Sequence, residues 1–264
     1  MAEETVRILE HGEYVAPSGR TVHLGEQVAR AVQGTVLHRP GDALEVREVA
    51  RAAPRIEVTD EKTGQAARRL LEEEGVAEVF ALNFASAKNP GGGFLGGARA
   101  QEEDLARCSA LYPCLLTQPD YYATHRVEPS LLYTDHLIYS PRVPFFRDEA
   151  GVLLERPFQV SLLTAPAPNA GEALRREANV GPRLQEALRR RALRVLRAAA
   201  HHGHKTLVLG AWGCGVFRND PREVTEAFAR ALEALPGHFE RVVFAVYEPR
   251  GQGPNLSAFR ERWS

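Results

Sequence analysis

The stretch Ala81-Leu-Asn83-Phe-Ala-Ser-Ala-Lys-Asn89-Pro-Gly91-Gly92-Gly93-Phe-Leu-Gly96-Gly97-Ala-Arg-Ala-Gln101-Glu102-Glu103 leaves an apolar run, crosses five glycines and opens a helix on adjacent carboxylic acids. Clustered glycines let a ligand lie directly on the main chain, because no Cβ stands in the way. Acidic residues at a helix start can simply complement the dipole of the first turn. Placed beside a ligand loop, the same carboxyls can exchange a proton with a bound substrate as general acid or base, and the glycines immediately upstream favour that reading. A second glycine-rich passage, Gly210-Ala-Trp-Gly213-Cys214-Gly215-Val216-Phe217-Arg-Asn-Asp220, again joins a strand pattern to a helix pattern. Its successive N–H groups could form a concavity for a diphosphate, helped by the following helix N-terminus; on glycine count alone, a plain tight turn is an equal reading. It is not a P-loop, since no Gly-Lys-Ser/Thr ends it, and it fails the Rossmann fingerprint, with neither GxGxxG nor an acidic residue at the end of the next strand about 20 positions on.

The elements that must position these loops follow from periodicity and punctuation. Residues 77–84 read as a core strand entering the first loop, and Leu105, Cys108 and Leu111 as the apolar positions of the helix that leaves it. Asp60 and Thr63 are candidate caps for a helix ending at Gly75. Strands are expected at 137–140 and 158–164, with 145–151 forming a turn between two short extended pieces. Leu184, Leu188, Ala192, Val195 and Ala199 recur at helical spacing, with arginines on the other faces. A strand at 205–210, a helix at 220–235, a strand at 241–246 and a helix at 256–263 complete an alternation that implies a sheet covered by helices on both faces. Before this core, weak helices at 3–11 and 26–32, a short run at 21–24 and a short strand at 35–38 read as a packed N-terminal extension, and another short strand follows at 56–59.

Composition excludes several classes. Lys+Arg 33 against Asp+Glu 34 gives a net charge of −1, so no overall basic field drives nucleic-acid binding, and an anionic ligand must be held by local geometry. Cys108, Cys114 and Cys214 lack CxxC spacing, which argues against a disulfide framework and a zinc site and suits a reducing, cytoplasmic setting. The acidic N-terminus is unlike a signal peptide, and no apolar run approaches the roughly 20 residues of a membrane span. His201, His202 and His204 read as solvated at a helix end rather than as metal ligands, and the arginines of 175–197 as a solvated face. No cofactor or metal is implied.

Gly91-Gly92-Gly93, seven residues, then Gln101-Glu102-Glu103 resembles the signature of the bacterial-type poly(ADP-ribose) glycohydrolases, which are catalytic macrodomains. The likeness runs nearly end to end, through Tyr14-Val-Ala-Pro-Ser-Gly-Arg-Thr21, Val143-Pro-Phe-Phe-Arg-Asp148, Thr164-Ala-Pro-Ala-Pro-Asn169 and Gly213-Cys-Gly-Val-Phe217. The resemblance implies a three-layer α/β/α macrodomain-like fold: one catalytic domain over 1–264, with residues 1–55 as a packed accessory region. It also implies hydrolysis of ribose–ribose bonds, with poly(ADP-ribose) or ADP-ribosylated protein as substrate and ADP-ribose as product. No stable nucleic-acid partner and no membrane are expected, and the protein is expected to be a monomer.

By the same resemblance Glu103 is the acid/base and Glu102 helps hold the ribose. Consecutive helical side chains point about 100° apart, so the pair is not expected to flank one bond; one carboxyl must then act twice, with burial raising its pKa. Asn89 resembles the asparagine that bonds the distal ribose, and Asn83 either supports that pocket or ends the strand as a turn residue. Gly213, Cys214, Gly215 and Val216 resemble the diphosphate loop. Phe217 resembles the aromatic that positions the terminal ribose, the alternative being a core phenylalanine. Tyr247 either lies near the adenine or packs on the surface. Glu102-Glu103 separates an enzyme from a non-catalytic ADP-ribose reader, which needs only the glycine loops. A hydrolase of ADP-ribose linked directly to protein or nucleic acid is separated less well.

Overall fold

The computed structural model describes residues 1–50, 52–249, 251 and 253–263. The chain begins with α1 (Ala2–His11), a two-stranded ribbon β1 (Glu13–Val15) and β2 (Thr21–His23), α2 (Gly25–Gln33), β3 (Val36–His38) and β4 (Arg55–Thr59). Then come α3 (Thr63–Arg68), continued by a π-helical turn over Arg69–Glu73, β5 (Phe80–Phe84), a 3₁₀ turn over Phe94–Gly96, α4 (Gln101–Cys108), α5 (Leu111–Leu116) and α6 (Pro119–Val127). The hairpin β6 (Leu137–Arg147) and β7 (Leu153–Ala165) is followed by α7 (Ala170–Arg176), α8 (Gly181–His201), β8 (Thr206–Leu209), α9 (Pro221–Glu233), β9 (Arg241–Ala245) and α10 (Pro254–Trp263).

Seven strands form one mixed sheet in the order β3-β6-β7-β5-β8-β9-β4, antiparallel across β3/β6/β7 and parallel from β7 to β4. The central strands are apolar on both faces, as a doubly covered sheet requires. Phe80, Leu82, Leu207, Leu209, Val242 and Phe244 pack with Leu188, Val195, Phe228 and Phe259 of α8, α9 and α10. Ala81, Val208 and Val243 meet Ala66, Leu105, Leu115 and Tyr121 of α3 to α6 on the other side. The N-terminal helices and ribbon add a small cluster of their own around Tyr14, Leu24 and Phe146. This is the three-layer α/β arrangement expected. No helix among the described residues is long and apolar enough to cross a membrane.

Several local expectations are corrected. β6 runs through Phe145, Phe146 and Arg147, and the turn lies beyond them, because all three side chains are buried and the hairpin is covered on both faces. Neither Asp60 nor Thr63 caps α3: Asp60 accepts from the Glu248 N–H, and the Thr63 hydroxyl from Gln101. The helix after the glycines ends at Cys108, so Leu111 belongs to α5. Residues 77–79 precede β5 without joining it. His202 and His204 are not solvated: His202 stacks on Tyr139 at 3.6 Å and meets His38 Nε2 at 2.9 Å, while His204 is buried against the Tyr139 hydroxyl. Arg191 leaves the solvated face as well, fully buried and tied to Asp135 at 2.9 Å and to the Pro166 and Leu132 carbonyls.

Candidate active site

Four parallel strands deliver their C-terminal ends to one edge of the sheet, where ligands bind in open α/β folds. From β5 comes the first glycine loop, from β8 the second, from β9 the segment holding Tyr247, and from β7 the Pro166–Asn169 stretch that braces the second loop. Between them lies a cleft of about 880 Å³, whose walls include Phe84, Gln101, Glu102, Glu103, Gly213, Gly215, Val216, Phe217 and Tyr247. Asn83, Asn89, Gly91, Gly92, Gly93 and Cys214 are not among its lining residues; Asn83 and the glycines act from behind, on the two glutamates.

Gln101 is the joint between loop and sheet. Its Oε1 accepts from the Phe84 N–H at 2.8 Å, while its Nε2 donates to the Leu82 carbonyl at 2.7 Å and to Thr63 Oγ1 at 3.1 Å. The amide thus continues the β5 hydrogen-bond ladder sideways and fixes the first residue of α4. Glu102, next along, is only 2% exposed. Its Oε2 accepts from the Ser86 N–H at 2.6 Å, and its Oε1 accepts from Asn83 Nδ2 at 3.2 Å. Burial nevertheless pushes this carboxyl up to about 8, against the pull of those bonds. Asn83, within β5, is fully buried and also donates to Thr164 Oγ1 at 3.1 Å, so it is not a turn residue.

Glu103 is half-exposed in the cleft and accepts from the Gly93 N–H at 2.9 Å. The burial expected of Glu103 therefore falls on Glu102, whose side chain turns under the loop. The two acids nevertheless approach one point on the loop. A Cβ at Gly92 would collide with the Glu103 carboxylate and stand 3.2 Å from Glu102 Oε2, so both acids bend back to the same point on the loop. Gly92, at φ +60, is obligatory there on both counts.

In the second loop, Gly213 has φ +73 and no room for a Cβ against Ala167 and Asn219, whereas nothing lies within 4 Å of a Cβ on Gly215. Asn219 closes the loop: its N–H and Nδ2 both donate to the Gly213 carbonyl, at 3.1 and 3.0 Å, and Nδ2 also reaches Pro168 O at 2.8 Å. Val216 is exposed, and Phe217 is half-buried with its ring 6.0 Å from Tyr133. Burial pushes the Cys214 thiol up to about 12, which suits a packing residue and not a nucleophile. Tyr247 is exposed beneath Lys62, whose Nζ is 5.5 Å from the ring centre. Asn89 is exposed; its N–H donates to Ser86 Oγ and its carbonyl accepts from Gly92 N–H, which shapes the loop. No group of three or more His, Cys, Asp or Glu side chains among the described residues is arranged to hold a metal. Sequence reasoning gave no site role to Thr63, read as a helix cap, to Thr164, quoted only within a resembling segment, or to Ser86 and Asn219; Asn219 left a local trace as an asparagine placed to bond its own loop.

The comparisons agree with this geometry. Residues 2–148 match the family described as the microbial-type PARG catalytic domain. The poly(ADP-ribose) glycohydrolase of Thermomonospora curvata is 51% identical, with a TM-score of 0.92 over 99% of this chain and 97% of that one. The same enzyme bound to the inhibitor ADP-HPD gives 50% and 0.89 over the same shares. The Deinococcus radiodurans enzyme in complex with ADP-ribose gives 50% and 0.81 over 91% of this chain and 98% of that one. No curated protein matches the chain. With the Gly-Gly-Gly segment folded behind the Gln-Glu-Glu residues of the cleft wall and the likeness to a solved relative spanning 99% of the chain, this protein belongs to the microbial-type poly(ADP-ribose) glycohydrolase family.

Proposed function

We propose that this chain hydrolyses the O-glycosidic ribose–ribose bonds of poly(ADP-ribose) from chain ends, releasing ADP-ribose, with Glu103 as the acid/base. Family membership carries the reaction class. The observation that supports the division of labour is the unequal setting of the two acids: Glu102 enclosed beneath the loop, Glu103 open to the cleft on a single backbone N–H. Glu103 gives its proton to the departing ribose oxygen as the bond to the anomeric carbon breaks. Its carboxylate then takes a proton from the water that adds to that carbon, which restores the acid. Glu102 and Asn89 hold the ribose, and Asn83 and Gln101 hold the start of α4. Gly91, Gly92 and Gly93 act on the sugar through the two acids, Gly92 by leaving room for both carboxyls and Gly93 by its N–H to Glu103. The segment Gly213, Cys214, Gly215 and Val216 receives the diphosphate through main-chain N–H groups, Phe217 packs on the terminal ribose, and Tyr247 borders the adenine. The whole chain, 1–264, acts as one catalytic unit, with 1–55 as an accessory region; β3 from that region supplies an edge of the main sheet. A monomer in a reducing, cytoplasmic setting, without stable nucleic-acid binding, completes the reading; all three cysteines are free.

The test is Glu103→Gln, assayed on labelled poly(ADP-ribose) with products separated by size. Turnover should fall by at least about 10²–10⁴-fold, the range of general acid–base contributions, while calorimetry finds ADP-ribose affinity within a few-fold of wild type. More than about a tenth of wild-type turnover would remove Glu103 from the chemistry.

A further inference from the structure

Behind the two acids lies a buried relay of neutral groups. Asn83 and Thr164 are register partners on the parallel strands β5 and β7, and both are fully buried. Asn83 Nδ2 donates one hydrogen to Thr164 Oγ1 at 3.1 Å and the other to Glu102 Oε1 at 3.2 Å. Among the described residues Asn83 Oδ1 is buried without a partner. An amide with an idle oxygen can turn about its terminal bond, since either end fits the same space. The Thr164 hydroxyl takes the second amide hydrogen and so anchors Nδ2 beside Glu102.

We propose that Thr164 is a positioning residue for this reaction: through Asn83 it keeps an N–H donor aimed at Glu102 and so holds that carboxylate ready for the ribose. The inference rests on the role of Glu102 given above. The bond from Asn83 Nδ2 pulls the Glu102 carboxyl down against the larger effect of burial. With the Thr164 acceptor in place, presenting Nδ2 to Glu102 pairs both amide hydrogens. Without it one amide hydrogen is stranded in the core and nothing on the β7 side holds Nδ2 in place, so the bond to Glu102 Oε1 weakens and its downward pull on that carboxyl is lost. Glu102 is faced by Glu103 on its own helix, by the N–H groups of Ser86 and Gly91, and by the Tyr121 and Tyr122 phenols of α6; Asp104, two residues on, is neutralised by Lys62, which precedes α3, and by Arg107. None of these changes in a Thr164 variant.

The experiment compares Thr164→Val, Thr164→Ala and Thr164→Ser with wild type on labelled poly(ADP-ribose) across pH, with thermal melts and Glu103→Gln alongside. The expected result is a roughly tenfold loss of kcat/KM in Val and Ala, carried mainly by KM, the effect of one misplaced hydrogen bond. The limb of the pH profile set by Glu102 moves to higher pH in both, and Ser restores rate and limb to wild type. Should Val fail to fold, Ala against Ser carries the same comparison. Equal kcat/KM and pH profiles in folded Val or Ala variants would overturn the proposal, as would a Ser variant as impaired as Ala. Wild type that leaves the polymer intact would instead count against the function itself, since then no variant series exists to compare.

Discussion

Glu102 retains a proton to far higher pH than a glutamate in water, because burial outweighs the bonds from Ser86 and Asn83 and pushes its carboxyl up to about 8. An unfolded chain gives up that proton near the ordinary value of 4.5. Between those two values the native state binds more protons than the unfolded one. The stabilisation is therefore complete below the unfolded value and is lost progressively as pH rises toward the folded one. The limiting slope is about 1.4 kcal/mol per pH unit. Glu102→Gln removes the titration and keeps the shape. From about pH 5 to about pH 8, wild-type Tm should fall by at least about 3 °C more than that of Glu102→Gln, given the usual conversion for a chain of this size. Parallel Tm curves would mean that the carboxyl is not enclosed. At this scale the sequence was half legible. The run Gly-Gly-Gly to Gln-Glu-Glu lies within one local segment, so its pattern could be read directly. Which of the two acids is buried depends on how the loop folds back over α4, and no spacing encodes that.

At the scale of elements, the two glycines of the β8–α9 loop make opposite predictions. Gly213 sits at positive φ against Ala167 and Asn219, so Gly213→Val should lower Tm by distorting the free protein. Gly215 faces open space, so Gly215→Val should leave Tm unchanged yet weaken ADP-ribose binding more than tenfold, about 1.4 kcal/mol, by blocking approach of the diphosphate. Unchanged calorimetric affinity in folded Gly215→Val would make the loop a structural turn. The elements themselves were legible where one face alone is buried. The spacing from Leu184 to Ala199 yields α8, and Asp220 caps α9 by accepting from the Arg222 N–H. They were illegible where that contrast fails. β6 and β7 are buried over long runs with little alternation, which hid their length, and α5 is too short to show a period. The Asn83–Thr164 pair joins residues 81 positions apart, so only the sheet topology brings it into view.

At the scale of the molecule, the question is how much polymer the protein can grip. Poly(ADP-ribose) carries two phosphate charges per repeat, and a protein that followed many repeats would need a basic groove and would lose affinity steeply with salt through counterion release. The net charge here is −1. The arginines of α8, the one dense basic series, do not line the cleft. Several are already engaged: Arg183 with Glu177, Arg190 and Arg191 with Asp135, Arg194 with the Asp135 and Arg39 carbonyls. Of the basic residues in the cleft wall, Lys62 and Arg107 are paired with Asp104, Arg68 with Glu72 and Arg147 with Glu4, and a cleft of this volume holds about one ADP-ribose unit by the usual size of small-molecule sites. Digestion of long polymer should therefore release monomeric ADP-ribose from the earliest time points, with a logarithmic salt slope on the order of one or two ions. Free oligomers early in the time course, or a slope matching many phosphate contacts, would show that internal segments are bound and that an end-restricted cleft is the wrong description.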